Sequence, residues 1–254
     1  MSCKIGIVQL GDPNYYKFRQ NSIQTVEKFC SLHGHDHIVY TDDIDNSIHT
    51  AWNKPLALKN HMNDYDYIGW IDMDCIVSNY EFNLEQYLKG KEDILIARDP
   101  MYIKDELLNT GVLFFRVNEF SRKAINIWWE IRTKDKNDPW RLNGGDQGPF
   151  NLICKKYNIV GQNPHDFNIH PNHFVSGDFI CHFMGTHPNQ FDDHARYALD
   201  HIEENDILTK YWWLVSKACL SWQETKYEGI EDKYTDPRKC HEIAKILAYQ
   251  DIPQ

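Results

Sequence analysis

Residues 67–77, YIGWIDMDCIV, decide the fold of this chain. The run Tyr67–Ile71 is short, aromatic and β-branched, so it predicts a buried central strand. The strand ends in two carboxylates, Asp72 and Asp74, which lie one residue apart. Open α/β sheets bind their ligands at the carboxyl ends of their strands. Two anions at that edge need a partner, and a divalent cation bridging to phosphates fits them. The pattern therefore points to a nucleotide-diphosphate substrate.

The same Asp-x-Asp spacing occurs twice more, at Asp43/Asp45 and at Asp64/Asp66. Asp43 and Asp45 lie in a polar stretch of turn composition, which predicts a solvated loop. Asp64 and Asp66 precede the strand and are expected in the turn that leads into it. Only Asp72/Asp74 follows an apolar strand and precedes a second apolar pair, so we assign the site there.

The surrounding pattern predicts an α/β domain. Strands and helices alternate before the central strand, an order that implies a parallel sheet with crossover helices. The predicted strands are Lys4–Leu10, His37–Thr41, Tyr67–Ile71, Asp93–Ala97 and Leu107–Val117, and the predicted helices are Tyr15–Leu32, Ala51–Met62, Phe120–Arg132 and Phe150–Tyr157. No linker is evident. We expect one domain over residues 1–254, with a catalytic core in 1–190 and a helical extension in 191–254.

Composition excludes several classes of function. The formal net charge of -10 disfavours nucleic-acid binding and electrostatic attachment to an anionic membrane. No apolar run is long enough for an integral membrane span. Seven cysteines without a Cys-x-x-Cys pair, and the lack of a signal-type N-terminus, predict a cytoplasmic protein. The sequence does not indicate an oligomeric state.

Three further sites could contribute to the chemistry. His182 follows the apolar pair Phe179-Ile180 and could complete a carboxylate–imidazole site of the kind that suits Mn²⁺; otherwise it is a structural histidine. Asp146 and Gln147 follow two glycines at a helix start. They predict either an ordinary N-cap or a clamp on sugar hydroxyls. The strand segment 109–111, Asn-Thr-Gly, indicates either close backbone approach to a ligand or a β-bulge.

Together these segments resemble the GT-A type of nucleotide-sugar glycosyltransferase. They are similar to the family 34 group of galactomannan galactosyltransferases, xyloglucan xylosyltransferases and yeast mannosyltransferases. The resemblance spans about residues 5–188 and rests on four segments: Asn53-Lys-Pro55, Trp70-Ile-Asp-Met-Asp-Cys-Ile76, Leu108–Arg116, and Asp146-Gln147 with His182-Phe-Met-Gly185. It implies a GT-A (Rossmann-like) mixed, mainly parallel sheet flanked by helices. The glycogenin-like family 8 shares much of this layout.

The resemblance also implies roles for individual residues. Asp74 and His182 would bind the metal, Mn²⁺ or Mg²⁺, and Asp72 would contact the metal or the donor. The donor would be a nucleotide-diphospho-sugar. Residues expected near its nucleotide, phosphates or sugar are Gln9, Lys54, Asn109, Gly111, Asp146, Gln147, Gly185 and His187. His187 stands where several relatives have a lysine that touches the diphosphate. The part of the phosphate charge that this lysine neutralises in the relatives would here be neutralised by His187 or by another cation.

The expected activity is metal-dependent transfer of a sugar, by default from a UDP-sugar, to a glycan or other hydroxyl acceptor. The resemblance implies retention of anomeric configuration; if the reaction inverts instead, a carboxylate must act as base and Asp146 is the candidate. The alternatives are a sugar nucleotidyltransferase and a non-catalytic sugar-binding module. A nucleotidyltransferase usually begins with a basic, glycine-rich phosphate loop, which residues 9–13 lack. The sequence does not identify the base, the sugar or the acceptor.

Overall fold

The structure is a computed structural model, and it describes residues 3–11, 20–48, 50–99, 107–131, 146–170, 174 and 177–183. Seven strands and six α-helices lie within these ranges. The strands are β1 (Ile5–Leu10), β2 (Asp36–Tyr40), β3 (Tyr67–Ile71), β4 (Cys75–Val77), β5 (Ile94–Arg98), β6 (Leu108–Arg116) and β7 (Ile180–His182). The helices are α1 (Gln20–His33), α2 (Asn53–His61), α3 (Leu84–Leu88), α4 (Glu119–Glu130), α5 (Gln147–Lys156) and α6 (Pro164–Phe167).

Five strands form the central sheet, in the order β2-β1-β3-β6-β5. β1 pairs in parallel with β2 and with β3, whereas β6 is antiparallel to both β3 and β5. Four of the five strands therefore run in one direction and only β6 runs against them. Strands β4 and β7 form a separate antiparallel pair in which Cys75 lies opposite His182.

Side chains alternate across the central sheet and fill two hydrophobic cores. Val8 of β1 belongs to the core beneath α2, α4 and α5, where Trp128 and Phe150 pack with ring centroids 4.3 Å apart. Its neighbour Ile7 belongs to the opposite core, with Phe29 of α1. Helices therefore cover both faces of the sheet, as parallel sheets require.

The predicted fold class is confirmed: a mixed, mainly parallel sheet flanked by helices. The predicted strands are present within the described residues, and so are the described parts of the predicted helices; the predicted helix starts at 15–19 and the end at 132 lie outside the described residues. Gly34 closes α1 with φ +70°, a left-handed conformation typical of a helix C-terminus. The predicted helical extension over 191–254 lies outside the described residues, so the domain division stays a prediction. Among the described helices, none has the length and apolar character of a membrane span.

Candidate active site

A cavity of about 360 Å³ opens where β1 and β3 end. It has the size of a small-molecule site. The lining residues come from the ends of these two strands, from the approach to α2 and from the start of α5: Leu10, Gly11, Thr50, Ala51, Lys54, Trp70, Asp72, Met73, Asp74 and Asp146. The sheet edge predicted from the Asp-x-Asp motif is thus the edge where the cavity lies.

Backbone hydrogen bonds hold the Asp72–Asp74 turn from three directions. The Asp72 amide donates to the carbonyl of Gly111 at 2.7 Å, which ties the turn to β6. The Cys75 amide donates to the Asp72 carbonyl at 3.1 Å and closes the turn itself. The Phe183 amide donates to the Asp74 carbonyl at 2.7 Å. The two carboxylates are therefore placed by a rigid backbone.

Lys54 lies beneath the cavity floor, with only 5% of its side chain exposed. Its ammonium is 3.1 Å from Asp72 and 3.2 Å from Asp146, and it donates to the Thr110 carbonyl at 3.0 Å. Burial lowers the pKa of Lys54, but the two carboxylates outweigh this effect and raise it overall. Lys54 is therefore a permanent cation that joins α2, β3, β6 and α5 around the site.

Asp72 faces Lys54 rather than the metal-ligand pair described next. Its Oδ1 also accepts a hydrogen bond from the Trp70 indole at 2.5 Å. Burial raises the pKa of Asp72, the Lys54 charge opposes this, and the Asp74 charge adds to it. Lys54 and Trp70 thus both engage Oδ1 of Asp72, and its expected role toward the metal or the donor stays a prediction.

Asp74 and His182 form the strongest candidate metal site. Asp74 Oδ1 is 3.2 Å from His182 Nε2, although β3 and β7 are distant in the sequence. Burial lowers the pKa of His182, but the charge and hydrogen bond of Asp74 outweigh it and raise the pKa overall. Adjacent ligands of an octahedral ion with bonds of about 2.1 Å lie about 3 Å apart. The spacing therefore fits Mn²⁺ or Mg²⁺, and the oxygen–nitrogen donor set suits Mn²⁺ better.

Cys75 is a neighbour of this pair that the sequence analysis did not single out. Its sulfur lies within 4.8 Å of ligand atoms of both Asp74 and His182. Burial, reinforced by the charges of Asp74 and Asp72, raises the pKa of the Cys75 thiol well above its usual range. The thiol stays protonated and packs in the core with Ile71 and Val77.

Two buried residues missed by the sequence analysis, Asn168 and Asp99, extend the site inwards. The Asn168 amide lies 2.9 Å from His182 Nδ1 and donates to Asn109 Oδ1 at 3.0 Å. Asn109 in turn donates to Asp99 at 3.2 Å, and Gln147 donates to the same carboxylate at 3.3 Å. No local motif marks Asn168 or Asp99, because their partners come from other elements.

Gly111 serves the site by leaving room for the histidine. A Cβ built on Gly111 would collide with the His182 ring, lying 2.6 Å from Nδ1, and would be 2.9 Å from Asn109 Oδ1. The pairing of β5 with β6 also shifts register at this point, from Ile96 opposite Leu113 to Ala97 opposite Asn109. Both interpretations of this glycine, close approach and β-bulge, thus apply, but the group that approaches is an imidazole of the protein.

Asp146 and Gln147 lie at the start of α5, where Asp146 occupies the N-cap position. The Asp146 side chain makes no capping hydrogen bond. Its carboxylate instead binds Lys54 and accepts a hydrogen bond from the Thr110 hydroxyl at 3.2 Å. Gln147 accepts from the Thr110 amide at 3.2 Å. Both residues are joined to β6 beside the cavity, where the sequence analysis expected a clamp on the sugar.

Gln9 does not line the cavity. It is fully buried, donates to Ser22 at 3.0 Å and lies 2.9 Å from His37 Nε2. Its amide therefore joins β1 to α1 and β2, because an inward-facing glutamine must satisfy both ends of its amide. Gly185 and His187, the other residues expected at the donor, lie outside the described residues.

Asp43 and Asp45 are more than a solvated loop. Asp43 accepts hydrogen bonds from the Thr50 hydroxyl at 2.8 Å and from the Asn53 amide at 3.2 Å. Asp45 accepts from the Ser47 hydroxyl at 2.6 Å. These carboxylates organise the segment before α2, and Thr50 of that segment lines the cavity. Their role is to shape the wall of the site.

Comparisons with known proteins agree with this fold. Residues 7–99 match the model of the galactosyl transferase GMA12/MNN10 family. No curated protein sequence matches the chain significantly. A glycosyltransferase involved in the glycosylation of the major capsid of PBCV-1 has a similar structure, with a TM-score of 0.60 at 17% identity over 76% of this chain and 99% of that one.

The bifunctional glycosyltransferase WbbM has a TM-score of 0.50 at 10% identity, with 82% of this chain covered. The match covers 52% of WbbM, so this chain spans about half of that protein. At such identities the similarity shows the fold, which is of the GT-A type. Over residues 7–99, which are less than half of the chain, the sequence is also similar to the GMA12/MNN10 galactosyl transferase family.

Proposed function

We propose that this protein transfers a sugar from a nucleotide-diphospho-sugar, a UDP-sugar by default, to a hydroxyl of a glycan or similar acceptor, with the help of Mn²⁺ or Mg²⁺. The observation that carries the proposal is the convergence of Asp74 Oδ1 and His182 Nε2 to 3.2 Å beside a cavity lined by Asp72, Asp146 and Lys54. An oxygen–nitrogen pair at a cavity of this kind is suited to hold a hard cation against a diphosphate.

Charge explains why a cation belongs in the mechanism. The residues that line the cavity include three carboxylates, Asp72, Asp74 and Asp146, and one lysine, Lys54. A nucleoside diphosphate would add further negative charge as the leaving group departs. A divalent ion held by Asp74 and His182 supplies the compensating charge in a partly desolvated site, where electrostatic stabilisation of a transition state is strongest.

The residues of the chain bind and orient the donor. Asp72, fixed by Lys54 and Trp70, lines the cavity in which the donor would bind. Asp146 is engaged by Lys54 and Thr110, which suits electrostatic stabilisation of a positively charged sugar better than proton transfer. In a retaining reaction the departing phosphate can take the proton of the acceptor, so no free carboxylate base is needed. Retention of anomeric configuration therefore accords with an Asp146 carboxylate that is already bonded to Lys54 and Thr110. We include retention in the proposal.

The experiment that tests the proposal compares Asp74→Asn with the unchanged protein. Thermal unfolding is followed with UDP, GDP and their sugars, each with and without Mn²⁺, and release of free sugar from each donor is measured in parallel. A ligand present at about 100 times its Kd stabilises the folded state by about 2.7 kcal/mol. We expect a Mn²⁺-dependent shift with one nucleotide, and we expect Asp74→Asn to lose both that shift and turnover.

Asp64→Asn is the matched control. Asp64 belongs to the neighbouring Asp-x-Asp motif but is exposed at the opposite end of β3, so this variant should behave like the unchanged protein. Near-normal turnover in Asp74→Asn would remove the metal-site assignment. Nucleotide binding without turnover of any donor would favour a binding module instead.

A further inference from the structure

Asn168 is a buried residue that touches the candidate metal ligand but not the cavity. It follows the short helix α6 and is fully excluded from solvent. Its amide lies between two other side chains, 2.9 Å from His182 Nδ1 on one side and 3.0 Å from Asn109 Oδ1 on the other. A side-chain amide has one accepting end and one donating end. The orientation of Asn168 therefore decides whether His182 Nδ1 donates a hydrogen bond or accepts one.

The neighbours of Asn109 fix that orientation. The Gly111 amide can only donate, and it donates to Asn109 Oδ1 at 2.8 Å. The opposite end of Asn109 donates to the Asp99 carboxylate at 3.2 Å. Asn109 therefore turns its oxygen toward Asn168. The side-chain nitrogen of Asn168 must then be the group that donates to this oxygen. The oxygen of Asn168 is left facing His182 Nδ1, and an amide oxygen can only accept.

This arrangement assigns a proton to Nδ1 of His182. A neutral imidazole carries one N–H, and a proton held at Nδ1 leaves the lone pair at Nε2, the nitrogen that faces Asp74. A cation between Asp74 and His182 takes the place of a proton on Nε2 and leaves the Nδ1–H bond to Asn168 intact. Metal-bound histidines are commonly oriented in this way through their other ring nitrogen.

We propose that Asn168 is a positioning residue that presents His182 Nε2 to the metal ion, with its own orientation set by Asn109, Gly111 and Asp99. The inference rests on the proposed function, because it concerns the metal of that site. Asn168 touches neither donor nor metal in this role; it acts through His182.

The test separates the accepting oxygen from the bulk of the side chain. Asn168→Asp keeps an acceptor for Nδ1–H, whereas Asn168→Leu keeps a similar size and removes the acceptor. Mn²⁺ binding is measured without donor, by titration against the electron paramagnetic resonance signal of free Mn²⁺. We expect Asn168→Leu to weaken binding about 10- to 100-fold, the usual effect of removing such a partner. Asn168→Asp keeps the acceptor for Nδ1–H but loses the N–H that Asn109 Oδ1 accepts, so it should bind Mn²⁺ more tightly than Asn168→Leu.

Asn163→Ala is the structural control. Asn163 caps the same helix α6 by accepting from the His165 amide at 3.3 Å, and its side chain makes no described contact with His182. The control should bind Mn²⁺ normally even if α6 is loosened. Equal weakening in Asn163→Ala and Asn168→Leu would overturn the proposal, as would normal binding in Asn168→Leu.

A spectroscopic readout keeps the two proposals distinguishable. Electron spin echo modulation detects an imidazole nitrogen bound to Mn²⁺. We expect this modulation in the unchanged protein and in Asn168→Asp, and its loss in His182→Ala and in Asn168→Leu. Mn²⁺ binding without nitrogen modulation in the unchanged protein would overturn the proposed metal site itself. Modulation retained in Asn168→Leu would overturn only the role of Asn168.

Discussion

Single residues at this site have meanings that depend on partners far away in the sequence. Gly111 shows this most clearly. The sequence marks it as a glycine inside a strand, and the structure adds that the His182 ring occupies the space where a side chain would stand. Because Gly111 also donates to Asn109, it contributes to the orientation of the histidine from two sides.

We therefore expect Gly111→Ala to weaken Mn²⁺ binding at least 10-fold, because the added methyl must displace the His182 ring from Asp74 and Asn168. Overpacking should also lower the free energy of unfolding by about 1–3 kcal/mol. Mn²⁺ titration and urea unfolding measure the two effects.

Gly6→Ala serves as the control for Gly111→Ala. A Cβ on Gly6 would lie 2.7 Å from the Tyr65 ring, but at the start of β1, away from the cavity. It should lose stability without losing affinity. If both variants bind Mn²⁺ like the unchanged protein, Gly111 is not needed to leave room for the His182 ring.

At the scale of the elements, Lys54 holds the site together. Its ammonium connects α2 to the end of β3 through Asp72, to β6 through Thr110 and to the start of α5 through Asp146. A buried charge of this kind is costly unless it is paired, and removing one partner leaves the others uncompensated. Lys54 is thus a structural part of the site.

Lys54→Met should lower the free energy of unfolding by about 3–5 kcal/mol, the usual cost of breaking a buried pair. The reason is that Asp72 and Asp146 then face each other without a cation. Urea unfolding of Lys54→Met, Asp146→Asn and the double variant forms a cycle. The double variant should lose clearly less than the sum of the single losses, and simple additivity would contradict the assigned pairing.

The helices and strands also show which features of the fold can be predicted from the sequence. Local periodicity predicted the five strands of the central sheet, four of the helices and the edge of the sheet that carries Asp72 and Asp74, because each depends on neighbouring residues. The pairing of β4 with β7, which brings Cys75 opposite His182, depends on segments distant in the sequence. The partners of Asp146 and Asn168 likewise come from other elements, so their roles could not be predicted from their own surroundings.

For the whole molecule, the sequence predicted the fold class but not which polar residues belong to the core. Gln9 was expected at the nucleotide and instead lies within the sheet, bonded to Ser22 and near His37. A polar residue at the end of an apolar strand gives the same sequence pattern whether its side chain faces a ligand or a neighbouring strand. Only the position of β2 beside β1 decides between the two.

The burial of His37 makes the stability of the molecule depend on pH. Burial lowers the pKa of His37 from 6.5 to about 4, so the unfolded chain binds the proton more readily than the folded one. The free energy of unfolding therefore falls as the pH falls from 6.5 to about 4. Since His37 is only half-buried, solvent reduces the effect below the limit of about 1.4 kcal/mol per pH unit for one proton.

His37→Gln should flatten this part of the stability profile, because the amide can bond to Gln9 without taking up a proton. Urea unfolding of both proteins at a series of pH values across this range measures the difference in slope. Carboxylates, and His35, whose pKa burial also lowers, contribute equally to both profiles and cancel in the comparison. Parallel profiles would mean that His37 is protonated in the folded protein as readily as in the unfolded chain, which would contradict the lowered pKa of His37.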